Sequence, residues 1–94
     1  MFFSILSRIE LNGTLIIEDY KGKIRSFGIS NPLVKIKFKS KSLERKLLIN
    51  PSLYIGEAYM NKELLILEGS LENFLDIASS AYNEFISRNF YFKF

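Results

Sequence analysis

The chain has 94 residues, one domain's worth, and the 48% that are apolar supply an ample core and exclude a disordered chain. It has neither cysteine nor histidine, which removes disulfides, Cys/His nucleophile–base pairs, His-assisted serine chemistry and thiolate- or imidazole-ligated metals. The net charge of +3 is unevenly spread: residues 21–46 carry nine lysines and arginines against Glu44 alone, and the remainder is mildly acidic.

In chain order, Phe2, Ile5, Leu6 and Ile9 fall at helical spacing, with Asn12-Gly13 as the stop. Ser4, Ser7, Arg8 and Glu10 interrupt this segment, and no basic lead-in or small-residue cleavage site marks a signal peptide. No apolar run approaches a membrane span, so a cytoplasmic protein is the expectation. Two short strands are predicted at Thr14–Tyr20 and Lys23–Gly28, joined by a hairpin turn at Lys21-Gly22. Ser30-Asn31-Pro32 breaks the chain again.

The clearest alternation follows. Val34, Ile36 and Phe38 share one side of a strand, and Lys35, Lys37, Lys39 and Lys41 share the other, the pattern of a half-buried strand. Ser42 reads as the N-cap of a short helix over Leu43–Ile49. Asn50-Pro51 ends it and opens another, to Met60, because proline suits the first helical position. Leu64-Leu65-Ile66-Leu67, within Glu63–Glu68, is short and continuously apolar and predicts an internal strand.

Gly69-Ser70 caps the last element, an amphipathic helix with Leu71, Phe74, Leu75, Ala78, Ala81, Tyr82 and Phe85 on one stripe. That stripe is expected to bury against a sheet that includes Val34, Ile36, Phe38, Leu65 and Leu67. The aromatic run Phe90–Phe94 has neither cap nor stop and reads as a chain cut short of something it touched. Four strands with helices before, between and after them make an α+β fold. The sheet is expected to be small, mainly antiparallel and covered on one face by helices. The strand order is not legible in the pattern.

Three features compete for function. The four lysines at 35, 37, 39 and 41 would stand about 6.6–6.8 Å apart, a spacing that suits phosphates of lipid head groups or nucleic acid. Arg45 and Lys46 extend the same basic stretch. The bland reading is a solvated strand face, or lysines that guard an edge strand. Phe27 and Phe38 lie in apolar contexts and form no stacking platform for single-stranded nucleic acid. The apolar N-terminus either lies in a membrane interface, with Arg8 at head-group height, or docks on its own domain or a partner. In Gly56-Glu57-Ala58-Tyr59-Met60, Glu57 and Tyr59 could meet a ligand. The structural alternative has Gly56 allowing close packing while Tyr59 and Met60 plug the core. No phosphate-cradling or nucleophile-elbow motif occurs, and the five glycines are spread singly, as turn punctuation would be.

Arg25-Ser26-Phe27-Gly28, Val34-Lys35-Ile36-Lys37-Phe38, the run Leu47 to Met60, and Leu67-Glu68-Gly69-Ser70-Leu71-Glu72-Asn73-Phe74-Leu75 follow one another in order. This succession resembles the N-terminal domain of cyclopropane-fatty-acyl-phospholipid synthases and their relatives among S-adenosylmethionine-dependent methyltransferases. The resemblance spans about residues 4–88, and Gly56–Met60 is its most specific part. Asn61-Lys62-Glu63-Leu64 departs from it, where many relatives carry an Asp-Gly-Glu-Trp turn.

The resemblance implies an accessory domain with a layout like that of sterol-carrier-protein-type lipid-binding domains. It implies engagement of membrane phospholipid, dimer contacts and a C-terminal methyltransferase domain, absent from this chain, that would hold S-adenosylmethionine and the catalytic residues. No activity is expected of this chain alone, and no cofactor or metal. Lys35, Lys37, Lys39, Lys41, Arg45 and Lys46 are the candidate lipid- or phosphate-binding residues. The competing readings are a structural or dimerisation module of another methyltransferase and, on the basic stretch alone, a nucleic-acid-binding module. The expected location is cytoplasmic, peripheral to the inner face of the membrane.

Overall fold

One acidic side chain organises the first turn. Asp19 Oδ1 accepts the backbone N–H groups of Lys21 and Lys23, each at 2.9 Å, while its backbone N–H donates to the Lys23 carbonyl and its carbonyl accepts from Gly22. Asp does this readily because its short side chain reaches backbone donors two residues ahead. The result is a hairpin between β1 (Thr14–Glu18) and β2 (Ile24–Phe27), both shorter than expected. The computed structural model describes residues 2–93, apart from the side chains of Ser52 and residues 88–93, so the expectation for the aromatic run Phe90–Phe94 lies outside the described side chains.

After β2 the chain must return beneath the start of β1 to place β3 (Leu33–Phe38) on its far side, parallel to it. The crossing is tight. Thr14 N donates to the Pro32 carbonyl at 2.8 Å and Thr14 Oγ1 to the Ser30 carbonyl at 2.6 Å. Gly28 has φ +87°, and a Cβ there would stand 2.1 Å from the Gly13 carbonyl oxygen. Only glycine lets the two backbones approach so closely.

α2 (Leu43–Ile49) and α3 (Pro51–Met60) then lead to β4 (Leu64–Glu68), which pairs antiparallel with β3. The sheet order is β2-β1-β3-β4, a mixed sheet with two of its three pairings antiparallel. The fold is α+β, as the pattern of elements implies. The lysine strand β3 is therefore interior, and its lysines guard no edge. β4 is an edge strand, contrary to the internal position expected from its continuous apolar run. Leu64 is buried and Ile66 packs against the core, whereas Leu67 is 47% exposed, so the apolar run is divided between both faces.

All the helices lie on one face. Leu15, Ile17, Val34, Ile36, Phe38 and Leu64 from the sheet meet Leu43 and Leu47 of α2, Ile55 and Ala58 of α3, and α4 (Leu71–Lys93). The buried line of α4 is Phe74, Ile77 and Ala81, with Leu71, Leu75 and Ala78 half-buried beside it. Ile77, fully buried, is missing from the expected stripe, and the helix sits slightly rotated from the phase drawn without it. Ser70 Oγ accepts from Asn73 N at 3.1 Å, the expected cap. Ser42 does not cap α2: its backbone is already helical, and its hydroxyl is 2.9 Å from Ser40 Oγ instead.

α1 (Phe2–Arg8) docks on its own domain. Phe3 stacks on Phe27 and Phe38, with ring centroids 6.1 and 6.4 Å apart, and Phe2 lies 6.0 Å from Phe38. Such ring pairs add about 0.5–1.5 kcal/mol each beyond their burial, enough to seat a short helix that is marginal alone.

Candidate functional site

The strand alternation places Lys35 and Lys37 on the helix-free face of the sheet, but there they meet acids. Lys37 Nζ pairs with Glu18 Oε2 on β1, and Lys35 lies opposite Glu68 on β4. Both lysines are half-buried. Ile16, Ile24, Leu33, Leu65 and Leu67 complete this face. The strand ends at Phe38, so Lys39 and Lys41 leave the sheet and are exposed. The four lysines thus do not form one outward row: Lys35 and Lys37 sit half-buried on the sheet, Lys37 in an ion pair, and an exposed pair stands beyond its end.

Beyond that end the basic residues gather with apolar ones. Lys41 enters the turn before α2, Arg45 is exposed on its first turns, and both border a depression together with Ser42, Glu44, Phe2 and Leu48. Among the described residues no ion pair engages Lys39, Lys41 or Arg45. Lys46 is different, lying 3.8 Å from Glu63 Oε2 and partly neutralised by it. Phe2 and Leu48 also line a second space, between α1 and the other three helices. This crevice, about 50 Å³, is lined by apolar side chains that include Leu6, Leu47, Ile55, Ile77 and Ala81. Its one hydroxyl-bearing neighbour, Tyr82, donates to the Ile49 carbonyl at 3.3 Å. An apolar space with no polar partners stays dry and receives apolar guests. The site is therefore an apolar crevice beside a cationic depression, the two sharing Phe2 and Leu48.

The Gly56–Met60 segment is the last turn and a half of α3. Ala58 alone faces the core. Tyr59 and Met60 are 44% and 81% exposed and Glu57 is exposed, so the reading of Tyr59 and Met60 as core plugs is overturned. A Cβ at Gly56 would meet nothing within 4 Å, so the close packing expected there is absent within this chain. With Ile49 and Leu53 also exposed, α2 and α3 present an outward apolar strip around that glycine. The physical reason is helix phase: Ile55 and Ala58 take the core side, and their neighbours at 53, 56, 57 and 60 rotate outward.

Residues 4–89 match a family described as a domain of unknown function, DUF7884. The chain belongs to the DUF7884 family. No curated protein matches the chain. This DUF7884 domain holds, among its described residues, no helix long and apolar enough to cross a membrane and no group of three acidic side chains placed to hold a metal ion. Sequence reasoning passed over the crevice because its walls are ordinary core residues. The adjacent pair Leu47-Leu48 was the available signal: one leucine serves the core, and the next, a hundred degrees round the helix, must serve something else.

Proposed function

We propose that this domain brings a fatty-acyl-phospholipid-modifying methyltransferase to an anionic membrane surface, as a non-catalytic accessory unit on the inner face of the membrane. The observation that carries this reading is the shared depression in which Lys41 and Arg45 flank the apolar Phe2 and Leu48. Cations beside half-buried apolar groups suit a lipid interface, where phosphates meet acyl chains. The order of motifs from Arg25 to Leu75 supports the methyltransferase half of the reading, through its resemblance to cyclopropane-fatty-acyl-phospholipid synthases.

S-adenosylmethionine, which that resemblance implies, does not fit these residues. Gly13, Gly28 and Gly69 are closed in against their neighbours, Gly56 lies within a helix and Gly22 sits alone in the hairpin turn, so the glycines do not gather into a cradle for it. The cofactor and the transfer chemistry belong to a C-terminal catalytic domain in this proposal. A second reading, a docking or dimerisation module of another methyltransferase, is favoured by the outward strip of Ile49, Leu53 and Met60 around Gly56.

Vesicle sedimentation tests the membrane reading. The chain is expected to pellet with phosphatidylglycerol-containing vesicles, to stay in solution with phosphatidylcholine vesicles, and to be released by salt. Equal behaviour with both vesicles would remove the electrostatic basis of the proposal.

A further inference from the structure

We infer that the crevice beneath α1 takes a single acyl chain of an anionic phospholipid, with the headgroup phosphodiester held at Lys41 and Arg45. This rests on the membrane reading above and adds a binding mode to it: the domain does not merely lie on the surface but draws one chain into its core.

The argument runs from the inside outward. Among the described residues the crevice of about 50 Å³ is apolar but for Tyr82, whose hydroxyl is turned to the Ile49 carbonyl. At about 10–15 Å³ per water-sized probe it has room for roughly four such probes, so it seats the end of a chain. Phe2 and Leu48 line both this crevice and the wider depression of about 500 Å³ beside it, which puts the outlet of the proposed path next to those two residues. A guest lying across those two residues meets apolar walls at one end and cationic ones at the other. Lys41 and Arg45 at the outlet face Glu44 in the same depression, leaving one net positive charge. That balance complements a singly charged phosphodiester better than a doubly charged phosphate monoester. The guest defined by this gradient is amphiphilic and anionic, and the narrowness of the crevice admits one chain.

α1 forms one wall of the passage and supplies only Leu6 to the fully buried core. Its other contacts include the Phe2 and Phe3 ring pairs, the Arg25 guanidinium over the Phe3 ring and the walls of the crevice. A chain end occupying the crevice would extend the apolar surface on which α1 rests without breaking the ring pairs that hold it.

The test uses the full chain and lysophosphatidylglycerol, kept below the concentration at which it forms micelles, with lysophosphatidylcholine as the neutral-headgroup comparison. Nuclear magnetic resonance titration is expected to show one-to-one binding of the anionic lipid, with shifts centred on Leu48, Ile55 and Ala81 and not on Ile16 or Lys35 of the open sheet face. Ala81→Phe fills the crevice and is expected to weaken binding about tenfold, the loss of roughly two buried methylenes. If A81F does not fold, Leu48→Gln at the outlet replaces it, and the wild-type shift map stands as an independent readout.

Shifts confined to the sheet face, or unchanged affinity in the folded variant, would overturn the inference. Vesicle binding by a chain that ignores the monomeric lysolipid would overturn it while leaving the membrane reading intact. Binding of the lysolipid at the crevice by a chain that ignores vesicles would support it and remove the membrane reading instead.

Discussion

Arg25 Nη1 donates to Asp19 Oδ2 at 2.8 Å, closing the hairpin whose turn the same carboxylate organises through its other oxygen. The guanidinium also lies 4.0 Å from the centroid of the Phe3 ring, so one cation ties the hairpin to α1.

The Arg25 hydrogen bond, helped by the backbone N–H groups of Lys23 and Lys21 and opposed by desolvation, holds the Asp19 carboxyl below its ordinary value of 3.8. A depressed folded-state pKa stabilises the fold above the unfolded-state value, and that contribution is lost as pH falls through the folded value. Urea unfolding should therefore show wild-type stability falling below about pH 3.8, while Asp19→Asn is less stable at neutral pH and converges on wild type in acid. Parallel acid profiles for the two proteins would mean that Asp19 does not couple to folding.

Phe74 is 2% exposed at the centre of the helix–sheet layer. Phe74→Ala should cost about 3–5 kcal/mol in urea unfolding, the range for large core truncations. Leu67, equally apolar but 47% exposed on the edge strand, should lose no more than about 0.5 kcal/mol on replacement by alanine. A large loss at Leu67 would show that the open sheet face is covered in solution.

The glycines at 28 and 56 should respond to alanine with opposite signs. At Gly28 the positive φ and the backbone oxygen 2.1 Å from the new Cβ leave no route to relaxation, and the loss should exceed about 1 kcal/mol. Gly56 sits within a helix with open space beside it, and Gly56→Ala should raise the isolated chain's stability by about 0.5–1 kcal/mol. Thermal melts of the two variants beside wild type measure both effects.

Much of the fold is legible wherever periodicity and punctuation agree. Val34, Ile36 and Phe38 at period two, Asn50-Pro51 between two helices and Ser70 before the last helix all place elements correctly, because each reflects a local backbone rule. β4 was misjudged because Leu64-Leu65-Ile66-Leu67 has no alternation to report which face is covered; burial there depends on strand order, a non-local fact. The site was legible only in part. The alternation located Lys35 and Lys37 on one strand face but gave no hint of Glu18, whose place opposite Lys37 follows from the parallel β1–β3 register across the β2 excursion. Tyr59 and Met60 misled because aromatic and thioether side chains read as core in a sequence, while helix phase turns both outward.

The same register predicts how membrane binding divides among the basic residues. Near an anionic surface each exposed lysine or arginine contributes about 1 kcal/mol, falling off within a Debye length of roughly 8–10 Å. Lys39, Lys41 and Arg45 stand exposed beyond the strand end, so changing all three to glutamine should remove about 3 kcal/mol at most, a loss of up to about a hundredfold in partitioning to phosphatidylglycerol vesicles. Lys35 and Lys37 are half-buried; Lys37 is ion-paired with Glu18, and Lys35 has Glu68 as its cross-strand neighbour. Replacing those two by glutamine leaves the acids uncompensated and should weaken binding far less than the triple change, with a salt dependence close to that of wild type. Sedimentation of the two variants across a salt series decides the matter. A larger loss from the sheet pair than from the triple would place the membrane contact on the open sheet face and move it away from the α1–α2 depression.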